Sequence, residues 1–163
     1  MPLFATFPHT IPQGGGGVTG FLGRYEYQLD PKGRVSLPVE YRRKAAGARL
    51  VLVQWEPTNL TLFPDDVWSE VKTRLLALRR ERPDMARVLR EVTSRATDLS
   101  PDKQGRILIP AWFKERVPLN GSVLLIGAMD RIEIWDPETF RKLHPDDLET
   151  DAGRSTELHR IFG

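Results

Sequence analysis

The 163-residue chain has no cysteine and only three histidines, His9, His144 and His159. The first absence excludes disulfides, thiolate zinc sites and cysteine nucleophiles together, and fits a reducing compartment. The second leaves no two histidines four apart to hold a metal on one helix face. No serine flanked by glycines marks a nucleophile elbow, and Gly14-Gly15-Gly16-Gly17 lacks the Lys-Ser/Thr that would make it a phosphate loop. No apolar run approaches the roughly 20 residues that span a bilayer. Met1 to Phe7 has no basic residue ahead of an apolar stretch, so a secretory leader is not expected. Charge of one sign is lacking too: Lys+Arg number 24 and Asp+Glu 22, a net of +2 that by itself announces no polyanion partner. These absences predict a cytoplasmic protein with no catalytic residues, no metal, no cofactor, no small-molecule substrate and no membrane contact.

What the chain does have is an internal copy. Asp30-Pro31-Lys32-Gly33-Arg34-Val35-Ser36-Leu37-Pro38 is matched by Asp102-Lys103-Gln104-Gly105-Arg106-Ile107-Leu108-Ile109-Pro110, an offset of 72 that also carries Leu62 to Ile134, Phe63 to Trp135 and Trp68 to Phe140. Each copy holds Asp, Gly three residues on, then Arg, an extended apolar run and Pro. A repeat of this length predicts two small half-domains sharing a core.

The elements read similarly in both copies. Tyr25, Tyr27 and Leu29 alternate with Arg24, Glu26 and Gln28, which predicts a half-buried strand. Asp30-Pro31-Lys32-Gly33 has the preferences of a type I turn closed by a residue free to take positive φ. Val35 and Leu37 then suggest a return strand, so that residues on either side of the turn make a hairpin with Lys32 at its tip and Arg34 at its exit. Pro38 opens a short helix, and Leu50–Val53 and Leu60–Phe63 form a second hairpin around Glu56-Pro57-Thr58-Asn59. Pro64-Asp65-Asp66 begins a longer helix with Val67, Trp68, Val71, Leu75 and Leu78 on one face. Arg82-Pro83-Asp84 breaks it, and Asp84 is placed to cap a helix carrying Met85, Val88, Leu89 and Val92. The second copy repeats the plan from Ala96, with a hairpin around Ala128-Met129-Asp130 and a last helix from Asp136-Pro137-Glu138 through Leu143. Residues 1–20 read as a flexible tail, and 146–163 as a polar tail apart from a contact by Ile161 and Phe162.

Asp30 and Asp102 are best explained as acceptors for turn N–H groups, and Gly33 and Gly105 as backbone requirements. For Lys32, Arg34, Lys103 and Arg106 the choice is closer, because a rigid turn and its flank carrying Lys and Arg can enter a major groove or grip phosphates. Tyr25, Tyr27, Trp68, Trp112 and Trp135 are read as core, and the arginines at 79, 80, 82, 87, 90 and 95 as solvated helix faces.

Phe21-Leu22-Gly23 through Pro38, the second run from Asp102 to Pro110, and Ile126-Gly127 through Ile132-Glu133-Ile134-Trp135-Asp136 resemble the bacterial MraZ family, whose signature is this doubled Asp-x-x-x-Arg. The likeness covers residues 21 to 143. It implies an α+β, mainly β fold of two tandem AbrB-like swapped-hairpin half-domains, spanning 21–82 and 83–145, that form a pseudo-twofold barrel with helices between and after them. It also implies a transcriptional regulator, associated with the nucleoid and assembled as a homo-oligomeric ring. Such a protein would bind direct repeats of double-stranded DNA in the promoter of the division and cell-wall gene cluster. The residues carried into the DNA-contact region are Asp30, Lys32, Arg34, Asp102 and Arg106; Lys103, Arg42 and Arg43 are added as supporting cations. Two rivals are an AbrB-like antitoxin that binds its own promoter and a toxin, and an oligomeric scaffold that binds no DNA.

Overall fold

The computed structural model describes residues 20–45, 47, 49–145 and 158–162. Of the two expected tails, 1–19, 146–157 and 163 lie outside these residues. In chain order the elements are β1 (Arg24–Gln28), β2 (Arg34–Ser36), α1 (Val39–Lys44), β3 (Leu50–Glu56), β4 (Asn59–Pro64) and α2 (Asp65–Glu81). A 3-10 turn (Pro83–Met85), α3 (Ala86–Ser94), β5 (Ala96–Leu99), β6 (Arg106–Leu108), α4 (Ala111–Arg116), β7 (Ser122–Gly127), β8 (Ile132–Trp135) and α5 (Pro137–Leu143) follow. Among the described residues no helix is long and apolar enough to cross a membrane.

Six strands make one open antiparallel sheet in the order β1-β7-β8-β4-β3-β5, and β2 with β6 makes a separate two-stranded ribbon. The expected hairpins of β3 with β4 and β7 with β8 form. The expected hairpin of β1 with β2 does not, nor does its counterpart of β5 with β6. The turn closes as read, but the chain leaves it in two directions: β1 pairs with β7 and β5 with β3, while β2 pairs with β6. The physical reason is burial. A return strand of three residues would gain little from a lone local ribbon, whereas pairing across the repeats drives Val35, Leu37, Ile107 and Ile109 together into one core, each no more than 1% exposed. Alternation identifies a strand and its buried face, not its partner.

The pairing is symmetric under exchange of the repeats. In the ribbon Val35 faces Ile107, its own counterpart at offset 72, and Leu37 N–H donates to Gly105 O as Ile109 N–H donates to Gly33 O, both at 2.9 Å. At the sheet centre Thr61 faces Glu133, again its counterpart. In one strand the offset slips to 73: Val123 and Leu125 occupy the core positions that Leu50 and Leu52 occupy in β3.

The shared core draws equally on both halves, with Tyr41 and Phe113 at corresponding places on α1 and α4. Tyr41 donates its hydroxyl to Gly23 O at 2.9 Å, and burial pushes its phenol up to about 12. A second cluster, Val51, Val53, Phe63 and Val92, lies on the other face of β3 and β4 under α2 and α3. The expected stripe of α2 is half-buried throughout, and Val67, Trp68 and Val71 reach this cluster.

Two further readings need correction. Asp84 does not cap α3, because Pro83 starts a 3-10 turn that leads straight into the helix; the carboxylate is instead gripped by Arg82 through Nε at 3.0 Å and an Nη at 2.8 Å. Trp112 is a surface residue, stacked on the buried Phe113 with ring centroids 3.7 Å apart. At the end of the described chain 158–162 is helical, with Ile161 60% and Phe162 81% exposed.

Candidate nucleic-acid interface

The two Asp-to-Arg turns have the same bonding. Gly33 N–H donates to Asp30 O at 2.9 Å, and Asp30 N–H to Arg34 O at 2.9 Å. The Asp30 carboxylate then accepts from three donors: the N–H of Lys32 at 2.9 Å, the N–H of Arg34 at 2.8 Å and the Arg34 Nε at 2.7 Å. Asp102 accepts from the N–H groups of Gln104 and Arg106 and from the Arg106 Nε, each at 2.9 Å. The Arg34 backbone N–H first, and its guanidinium after, hold the Asp30 carboxyl below the usual range; Arg106 does the same to Asp102. Both carboxylates therefore stay ionised, and each fixes its arginine by Nε, a bond that does not engage the terminal N–H donors of the guanidinium.

The ribbon then sets the two arginines side by side. Val35, Leu37, Ile107 and Ile109 point into the core, so Arg34, Ser36, Arg106 and Leu108 lie on the opposite face. Arg34 stands opposite Leu108 and Arg106 opposite Ser36. The arginines are thus diagonal neighbours on one face, a separation of about 7–8 Å or somewhat less between their Cβ atoms. Their side chains are 32% and 27% exposed, half-covered at the base. Lys32 and Lys103 are exposed on the turns but are not equivalents: Lys32 corresponds to Gln104, and Lys103 to Pro31.

Each turn is completed by the other repeat. A Cβ at Gly105 would stand 2.0 Å from Arg42 Cδ, and one at Gly33 would stand 3.0 Å from both Lys114 Nζ and Ile109 O. Both glycines also have positive φ, +74° and +86°, so at these two positions the missing side chain serves backbone shape and close approach together. Arg42 lies across the second turn, with Nη1 donating to Gln104 O at 3.5 Å, while its Nε is buried without a hydrogen-bond acceptor among the described residues. Lys114, the offset-72 counterpart of Arg42, lies over the first turn. Sequence reading named Arg42 and missed Lys114, although the offset alone points to it. Arg43 is exposed on α1, 3.9 Å from Glu40, and its counterpart is Glu115, so it has no equivalent in the second repeat.

The arrangement therefore has two composite basic sites on one ribbon: Lys32, Arg34 and Lys114, and Lys103, Arg106 and Arg42. The fixed fork of an arginine held at Nε suits bidentate contact with phosphate or with a guanine edge.

The sequence matches the family model described as "MraZ protein, putative antitoxin-like" twice, over residues 21–91 and 92–160. It is 36% identical to the transcriptional regulator MraZ of Herpetosiphon aurantiacus over 143 residues, 88% of this chain and 99% of that protein. It is 42% identical to the transcriptional regulator MraZ of a Nocardioides species over 125 residues, 75% of this chain and 84% of that protein. The protein of the same name from Haemophilus influenzae shares 32% over 142 residues, 85% and 93% of the two chains. With two tandem copies of the family's repeat, each carrying the Asp-to-Arg turn, the chain belongs to the MraZ family.

Proposed function

We propose that the protein is a sequence-specific DNA-binding transcriptional regulator that meets double-stranded DNA with the outer face of the β2–β6 ribbon and the two turns beside it. The observation that carries this reading is the pair of partly exposed arginines on the outer face of one ribbon, each held at Nε by its own aspartate. A two-stranded ribbon fits the major groove, and Arg34 and Arg106 are spaced to reach adjacent base edges or phosphates there. Lys32, Lys103, Arg42 and Lys114 supply phosphate contacts around them, and the exposed Arg43 adds one on a single side. The naming of relatives at 32–42% identity as transcriptional regulators supports the same reading.

In this proposal the β2–β6 exchange between repeats is the AbrB-like swapped-hairpin arrangement, with 21–82 and 83–145 as half-domains closing a pseudo-twofold barrel. One chain offers few base contacts, so selectivity comes from assembly: a ring of copies engages direct repeats in the promoter of a division and cell-wall gene cluster, and weak contacts multiply. Association with the nucleoid follows from such binding.

Fluorescence anisotropy with labelled DNA from upstream of the protein's own gene tests the reading, run at several stated salt concentrations against a scrambled duplex. Affinity for the upstream fragment should fall linearly on logarithmic axes as salt rises and should exceed that for the scrambled one. Equal affinity for both would remove sequence specificity, and no binding to either would leave an oligomeric scaffold.

A further inference from the structure

The offset of 72 relates more than the turns. Carried from α3 (Ala86–Ser94), it lands on the chain from Leu158 onward, and the second family match runs on to residue 160, well past the end of α5. In the first repeat α3 lies on the outer face of β3, where Val92 joins Val51, Val53 and Phe63. The matching outer face of the second repeat is Leu124, Ile126 and Trp135, against which α5 places Phe140, its ring centroid 5.3 Å from that of Trp135. Every residue of this second patch is more exposed than its counterpart. Leu124 is 6% exposed where Val51 is 2%, Trp135 is 6% where Phe63 is 0%, and Ile126 is half-buried where Val53 is 0%. Beside it Leu143 is 52% exposed.

The counterpart of α3 has the opposite deficit. Residues 158–162 are helical, and Leu158, Ile161 and Phe162 fall at i, i+3 and i+4, on one face. Their exposures are 48%, 60% and 81%. An under-covered sheet face and an uncovered helix face thus occur in one chain, and at an offset of 73, the slip already seen in β7, Leu158, Ile161 and Phe162 stand where Met85, Val88 and Leu89 stand in α3 and the turn before it, Met85 and Leu89 each being 7% exposed. Arg24 over the Phe140 ring at 5.0 Å and the Arg141–Glu26 pair at 3.5 Å give the patch a charged rim.

We propose that the 158–162 helix is the second repeat's α3, and that it docks through Leu158, Ile161 and Phe162 on the outer face of β7 and β8 beside α5 of the same chain. This interface is separate from the ribbon, and its test does not depend on DNA binding.

The absence of native cysteine makes the test clean. In the full chain Ile126→Cys is combined in turn with Leu158→Cys, Ile161→Cys and Phe162→Cys, oxidised at low protein concentration and weighed under denaturing conditions, with the reduced forms checked for native melting. An intrachain disulfide in most molecules of at least one pair is expected. Disulfides only between chains would assign the groove to a second copy and overturn the proposal, and so would the absence of any. Independently, Ile161→Asp with Phe162→Asp should lower the melting temperature by about 5 °C. A helix that stays in solvent would leave it unchanged, which would also overturn the proposal.

Discussion

Replacing both ribbon arginines, Arg34→Ala with Arg106→Ala, is expected to weaken binding to the upstream DNA by at least about 30-fold at fixed salt, since each well-placed arginine contributes about 1–3 kcal/mol. The melting temperature should change little, because the lost Asp30–Arg34 and Asp102–Arg106 pairs are partly exposed and solvent screens them. Lysine should not restore affinity at either position. A lysine that keeps the bond to the aspartate has no second nitrogen to offer, whereas an arginine held at Nε still presents its terminal fork. The anisotropy titration reads the affinity and a thermal melt reads the fold. Undiminished affinity in a folded double variant would take the arginines out of the interface.

The largest effect on stability is expected at Ile107→Ala. Ile107 is fully buried where the two ribbon strands cross, opposite Val35. Removing its branched side chain leaves a cavity that neither strand can close without moving the other repeat, at a cost of about 2–5 kcal/mol. For a chain of this size that is a fall of about 5–15 °C in melting temperature. DNA binding should weaken more than the stability loss explains, because the ribbon fixes the spacing of Arg34 and Arg106. A loss below about 1 kcal/mol by urea denaturation would mean that the crossing is not the structural centre it is taken to be.

Much of this was legible in the sequence, and what was missed has one common cause. The duplication, the turns closed by Gly33 and Gly105, and the β3–β4 and β7–β8 hairpins follow from local chemistry: turn propensities, alternation and short-range hydrogen bonding. The partners of β1 and β2 were not legible, because Arg24–Gln28 and Arg34–Ser36 advertise a buried face without saying which strand completes it. The placement of Arg34 was misread for the same reason. Local reading put Arg34 at the exit of a hairpin, whereas cross-repeat pairing puts it on a ribbon beside Arg106. Arg42 and Lys114 reach turns that lie more than sixty residues away in sequence, Arg42 to Gln104 among them. Only the offset joined to the pairing brings them there. Asp84 shows a smaller version: a capping residue was read correctly by type, but Pro83 changed the backbone around it and Arg82 was the nearer partner.

The central claim is that the two turns and the ribbon between them are the DNA-contact surface, each half built by both repeats. Amide hydrogen exchange of the full chain, with and without the upstream duplex, tests it most directly. The account predicts slowed exchange at Asp30–Arg34, at Asp102–Arg106 and in α1 and α4. The α2–α3 corner, with its exposed Arg79, Arg80, Arg87 and Arg90, should exchange as before. Protection at that corner with both turns unchanged would contradict it.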